Sequence, residues 1–189
     1  MESLMGEMVA ECYLMISEYY EGKFAERSGV PYMNHIDEGL VILDKINASY
    51  FARAAYCLHP LIQSDEDLLI NYPKIRFRAI AGHIWLLATE YRSIANEYLS
   101  TREIKSIDEI RLSPLKSVND MLIADKVQNY KDFLLYHQDH PRKQQLDEYF
   151  NNWFDRLGAD YKKLSPWIME FKKFEMPKMD ISELWKTEL

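Results

Sequence analysis

Apolar residues in this chain recur at steps of three and four along most of its length, and that spacing admits one class of fold. Met5, Met8, Val9, Cys12, Met15, Ile16, Tyr19 and Tyr20 share one face of a helix, with Glu7, Glu11 and Glu18 on the other. The same pattern predicts helices over about 2–21, 34–46, 49–58, 75–100, 115–137, 141–157 and 160–172. Asn34 reads as the N-cap of the second helix, Pro114 as part of a first helical turn, and Gly158 as a stop. The third predicted helix is apolar nearly all round (Tyr50, Phe51, Ala54, Ala55, Tyr56, Leu58), which places it inside a bundle. Residues 64–74 read as acidic and turn-like. No segment alternates as a strand does. The fold class is therefore all-α, with one helical domain over 1–172 and a C-terminal arm over 173–189.

Composition narrows the partners. The 189 residues include six Gly and seven Pro and carry a formal charge of −7, which argues against binding along a nucleic-acid backbone. No apolar run approaches the length of a membrane span, and Glu2, Glu7 and Glu11 replace the basic region of a signal peptide. Cys12 and Cys57 lie far apart in apolar surroundings and read as reduced core thiols of a cytoplasmic protein.

The informative residues are polar ones on apolar faces. In the helix over 115–137, one face reads Val118, Leu122, Asp125, Asn129, Phe133. A carboxylate taken out of water needs a cation, a metal or several donors beside it. A bridge from Asp125 to a Lys or Arg is the plain reading. His35 lies beside the stripe of Ile36, Leu40 and Leu43, and His59 follows the nearly all-apolar third helix. Each alone reads as a hydrogen-bonded core histidine. Together with Asp125 they make a donor set suited to Mn, Fe, Co or Zn.

Three segments resemble one family. Val30-Pro31-Tyr32-Met33-Asn34-His35 is similar to the Pro-Tyr-x-x-His opening of the RelA/SpoT-type HD hydrolases. Ala54-Ala55-Tyr56-Cys57-Leu58-His59 is similar to their Ala-Ala-x-Leu-His-Asp segment. Leu122-Ile123-Ala124-Asp125-Lys126-Val127-Gln128-Asn129 resembles their Lys-Leu-Ala-Asp-Lys/Arg-x-x-Asn. Order and spacing agree across about residues 23–135. The resemblance implies an HD-domain-like helical bundle. It implies a divalent cation, usually Mn, on two His and two Asp, and a purine nucleotide or nucleotide pyrophosphate such as ppGpp as ligand. By position, His35, His59 and Asp125 match three metal ligands. Asn129 matches a nucleotide contact, and Lys23 and Arg27 fall near the family's basic positions.

The chain departs from the family where chemistry needs charge. The dyad's Asp is Pro60, and the Glu-Asp pair that positions water falls on Gln63 and Ser64. Loss of these carboxylates should weaken metal binding and proton transfer. Asp65-Glu66-Asp67 and His83 are the candidate replacements. The expectation is a degenerate HD-type domain that binds a nucleotide, or a metal weakly, with hydrolysis lost or reduced. The alternatives are an active phosphohydrolase with altered ligands, and a non-catalytic scaffold using Tyr149, Phe150, Trp153, Phe154, Trp167, Phe171 and Trp185.

Overall fold

The computed structural model describes residues 2–26, 28–75, 80–98, 104, 106–137 and 139–169. Its order is α1 (Glu2–Tyr20), α2 (Met33–Lys45), α3 (Tyr50–Leu58), a 3-10 turn (His59–Ile62), α4 (Asp65–Ile75) and α5 (Gly82–Glu97). A second 3-10 turn (Ile107–Glu109) leads to α6 (Lys116–Tyr136), α7 (Lys143–Leu157), α8 (Tyr161–Leu164) and α9 (Pro166–Met169). No strand is present among these residues; Phe24 and Pro31 form an isolated bridge. The all-α expectation holds. The proposed arm over 173–189 lies outside the described residues.

The amphipathic stripe of α1 buries Val9, Cys12 and Ile16 against α3. Each fully buried aliphatic side chain of that kind contributes about 1.5–3 kcal/mol. Ser49 caps α3 by accepting from the Ala52 N–H at 3.1 Å. Ala52 and every residue from Ala54 to Leu58 are buried, as an inner helix requires, while Tyr50, Phe51 and Arg53 are half-buried. The second inner helix is α6, which packs against α2, α3, α5 and α7. Gly158 ends α7 in the left-handed conformation (φ 65°), as expected, and the Ala159 N–H closes onto the Phe154 carbonyl at 2.9 Å.

Several boundaries differ from the sequence reading. Residues 65–75 form α4 and not a turn, because Ser64 starts the helix. Its Oγ accepts from the Asp67 N–H at 2.9 Å and donates to Asp67 Oδ2 at 2.6 Å. Asn34 lies within α2, whose flanking residue Tyr32 gives no side-chain cap. Pro114 precedes α6, and Leu115 is the capping residue. α5 runs over Gly82–Glu97, shorter than the expected 75–100. Of the helix expected over 160–172, the described part forms two short helices, α8 and α9, divided at Ser165, and 170–172 lie outside the described residues.

Both thiols are buried and free, and burial pushes Cys12 up to about 12. Where α1 meets α2, Asp37 is also buried, and the Tyr13 hydroxyl donates to its Oδ1 at 2.7 Å. Burial outweighs that bond and pushes the carboxyl from 3.8 up to about 6. The folded chain therefore holds this proton more tightly than the unfolded chain. Its contribution is complete below about pH 4 and is lost as pH rises through about 6. Asp37→Asn keeps an acceptor for Tyr13. It is expected to flatten the stability profile between those values and to add about 2 kcal/mol at neutral pH, read by urea melts across the range.

Candidate metal centre

Three elements deliver the site. His35 sits in the first turn of α2, His59 opens the 3-10 turn after α3, and Asp125 lies midway along α6. His35 Nε2 is 3.1 Å from His59 Nε2 and 3.6 Å from Asp125 Oδ1. One ligand atom from each residue lies within 4.8 Å of the others, the one group of this kind among the described residues. His59 and Asp125 are buried, while the His35 side chain keeps a fifth of its surface exposed.

The surroundings set the protons. His59 Nδ1 lies 2.6 Å from the Tyr56 carbonyl. A carbonyl only accepts, so Nδ1 carries the proton and Nε2 presents a lone pair to the site. Burial, reinforced by His35, drives the His59 imidazolium down to about 3, so the ring is neutral at ordinary pH. Burial alone would raise the Asp125 carboxyl. The Lys126 ammonium, 2.8 Å from Oδ2, outweighs it together with the two imidazoles, and Asp125 is held at about 2. Asn129 Nδ2 donates to Asp125 Oδ1 at 2.9 Å. The plain reading of Asp125 as an ion-pair partner is thus satisfied by its own neighbour Lys126, and the carboxylate still faces both imidazoles.

The donor set fits a divalent cation. With metal–nitrogen bonds of about 2.0–2.1 Å, ligand atoms at adjacent coordination positions stand about 3.0–3.4 Å apart. The 3.1 Å spacing lies within that range and the 3.6 Å spacing just above it. Two neutral imidazoles and one carboxylate also match the preference of mid-series transition metals.

The three residues line an open cavity of about 920 Å³. Tyr19, Tyr20 and Tyr32 contribute to its aromatic lining, and His137, His140 and Arg142 contribute basic groups. Tyr20 packs on both other tyrosines at 5.3 Å between ring centroids. Asn129 lines the cavity as well. Lys23 does not; its ammonium lies 3.6 Å over the Tyr19 ring. Arg27 lies outside the described residues.

None of the candidate replacements joins the cluster. Asp65 pairs with Arg92, Glu66 is exposed, and Asp67 is taken by Ser64 and by the Tyr19 hydroxyl at 2.7 Å. His83 is exposed and meets Phe51 edge-on at 3.9 Å. Pro60 is buried and lines the cavity. Gln63 exchanges hydrogen bonds with Asn96, and Ser64 is spent on capping α4. Among the aromatics named as an interaction surface, Tyr149, Phe150, Trp153 and Phe154 are core residues. Trp167 is half exposed beneath Lys45, and Phe171 and Trp185 fall outside the described residues.

Sequence reasoning missed a second polar layer behind His35. Glu38 and Lys131 form a buried ion pair, Lys131 reaches Asp132 at 2.8 Å, and Gln128 bonds both carboxylates. The available signal was the run Asp125-Lys126-Val127-Gln128, which leaves α6 no purely apolar face although it must lie inside the bundle.

No protein-family model, curated protein or solved structure matches the chain. Among the described residues, no helix is long and apolar enough to cross a membrane.

Proposed function

We propose that the chain is an HD-type domain that holds a divalent cation on His35, His59 and Asp125 and takes a purine nucleotide or nucleotide pyrophosphate in the cavity above it. Hydrolysis is lost or reduced. One observation carries this reading: two imidazoles and a carboxylate converge on the floor of an open cavity. The three motifs that resemble the HD hydrolases supply one residue each to that spot. The cavity's tyrosines offer stacking surfaces for a base, and its basic groups suit phosphate oxygens. Weak turnover follows from what surrounds the cluster. A cation on two neutral ligands and one carboxylate would bind less tightly than on the family's four, and Gln63 and Ser64 offer no carboxylate to orient water.

Calorimetric titration of Mn²⁺ and Zn²⁺ into metal-free protein tests the site. One cation per chain is expected, with affinity more than about 100-fold weaker in Asp125→Asn, since loss of a ligand exceeds the about 10- to 100-fold cost of losing a partner behind one. With cation present, ppGpp or GDP should raise the melting temperature, and release of pyrophosphate should be slow or absent. Equal affinity in wild type and Asp125→Asn would end the metal reading. Rapid cation-dependent turnover, abolished by Asp125→Asn, would replace the degenerate reading with an active phosphohydrolase on three ligands, which is the open geometry of catalytic metal sites.

A further inference from the structure

Gln128 is 1% exposed, and both ends of its amide are engaged. Its Nε2 donates to Glu38 Oε2 at 3.1 Å and to Asp132 Oδ2 at 2.7 Å. Two acceptors on one side decide which end of the amide is nitrogen. Oε1 is then the atom 2.7 Å from His35 Nδ1. An amide oxygen only accepts, so His35 carries its proton on Nδ1 and its lone pair on Nε2. That lone pair faces the His59 Nε2 lone pair and Asp125 Oδ1, three acceptors with no hydrogen among them, an arrangement that calls for a cation or a proton in their midst. The opposite tautomer would turn an N–H into the site and remove one of its three donors.

We infer that Gln128 is a positioning residue for the candidate metal centre: Glu38 and Asp132 orient its amide, and the amide locks His35 in the tautomer that offers Nε2 to a cation. The inference rests on the metal reading for its purpose but not for its test. Glu38 and His35 belong to α2, while Gln128 and Asp132 belong to α6. The lock therefore acts across the interface of the two helices that carry His35 and Asp125. Lys131 ties both orienting carboxylates in place from the same helix as Gln128.

The test reads the tautomer directly. Long-range ¹H–¹⁵N spectra of the metal-free full chain, in alkaline buffer where imidazoles are neutral, show which ring nitrogen bears hydrogen. Assignment uses His35→Gln. Wild type is expected to show His35 protonated at Nδ1. Gln128→Met should shift His35 toward the Nε2-protonated form, leave His59 unchanged, and weaken Zn²⁺ binding about 10- to 100-fold. Wild-type His35 protonated at Nε2 overturns the inference. So does a Gln128→Met spectrum with the tautomer unchanged, whatever its affinity. Should Gln128→Met fail to fold, the wild-type spectrum still decides. A wild type with the expected tautomer and no Zn²⁺ affinity supports the lock and removes the metal reading instead.

Discussion

Lys131→Met is expected to destabilise the protein by about 3–5 kcal/mol. Lys131 and Glu38 are almost wholly out of water, and their side chains are 3% and 5% exposed. Methionine fills much of the lysine volume, so little of the loss comes from packing. The loss comes from Glu38, whose carboxyl is left without its cation and retains only the Gln128 amide. Urea denaturation at neutral pH measures it. The deficit should shrink in acid. Burial already raises the Glu38 carboxyl, and without Lys131 it rises further, so the folded variant takes up a proton that the unfolded chain releases. That stabilisation is present at low pH and is lost as pH rises through the folded-state value. Glu38→Leu with Lys131→Met should recover much of the stability, because it removes the deeply buried uncompensated charge and leaves only the more exposed Asp132 without its cation. A single variant within about 1 kcal/mol of wild type would mean that the pair behaves as a solvated one.

Gly39→Ala is expected to cost about 3 kcal/mol and to disrupt the cation site. Within a helix, alanine is ordinarily favoured over glycine by about 1 kcal/mol, so a loss here has an unambiguous sign. A Cβ at position 39 would fall 2.2 Å from Oη and Cε1 of Tyr56. Tyr56 is fully buried and has no space to retreat into. Its hydroxyl reaches the His35 carbonyl at 3.3 Å, and its own carbonyl receives His59 Nδ1–H at 2.6 Å. The Tyr56 ring also packs on both imidazoles, 5.6 Å from His35 and 4.7 Å from His59 between ring centroids, so displacing it disturbs both. Thermal melts and Zn²⁺ titration check the two effects. Gly39→Ala in a Tyr56→Leu background should cost far less than in wild type, the coupling expected of residues in contact. A stabilised Gly39→Ala would show that the ring has another place to go.

Much of this architecture was legible because helices of a bundle must carry an apolar stripe. α1, α2, α3 and α7 follow that rule, and the Gly158 stop is a local steric requirement that no tertiary contact alters. α4 was missed because its start is a side-chain cap at Ser64, and Pro73 lies within its last turn, so the segment looks like a loop when judged by apolar spacing alone. His35, His59 and Asp125 stood out because each interrupts or adjoins an apolar stripe, and the structure brings all three together. Glu38, Gln128 and Lys131 did not stand out. In sequence a charged or amide side chain looks the same on a solvated face as in a satisfied interior. Only the packing of α2 on α6 tells them apart. The replacement ligands sought at Asp65-Glu66-Asp67 and His83 failed for a related reason: the acidic run sits at a helix start and His83 on an outer face, and neither faces the cluster.

The buried charges of α6 also bear on how the molecule opens and closes. Asp120, Asp125, Lys126, Gln128 and Lys131 are all shielded from water on one helix. An apolar helix can dock loosely, slide in register and still gain most of its burial energy. This one cannot. A shift of one turn against α2 would strand Lys131 from Glu38 and Gln128 from His35 while keeping them dry, and each such orphan costs more than the partial contact returns. Intermediate dockings are therefore penalised, and α2 and α6 are coupled into one cooperative unit. Their backbone amides should exchange with solvent only through openings that release both helices together.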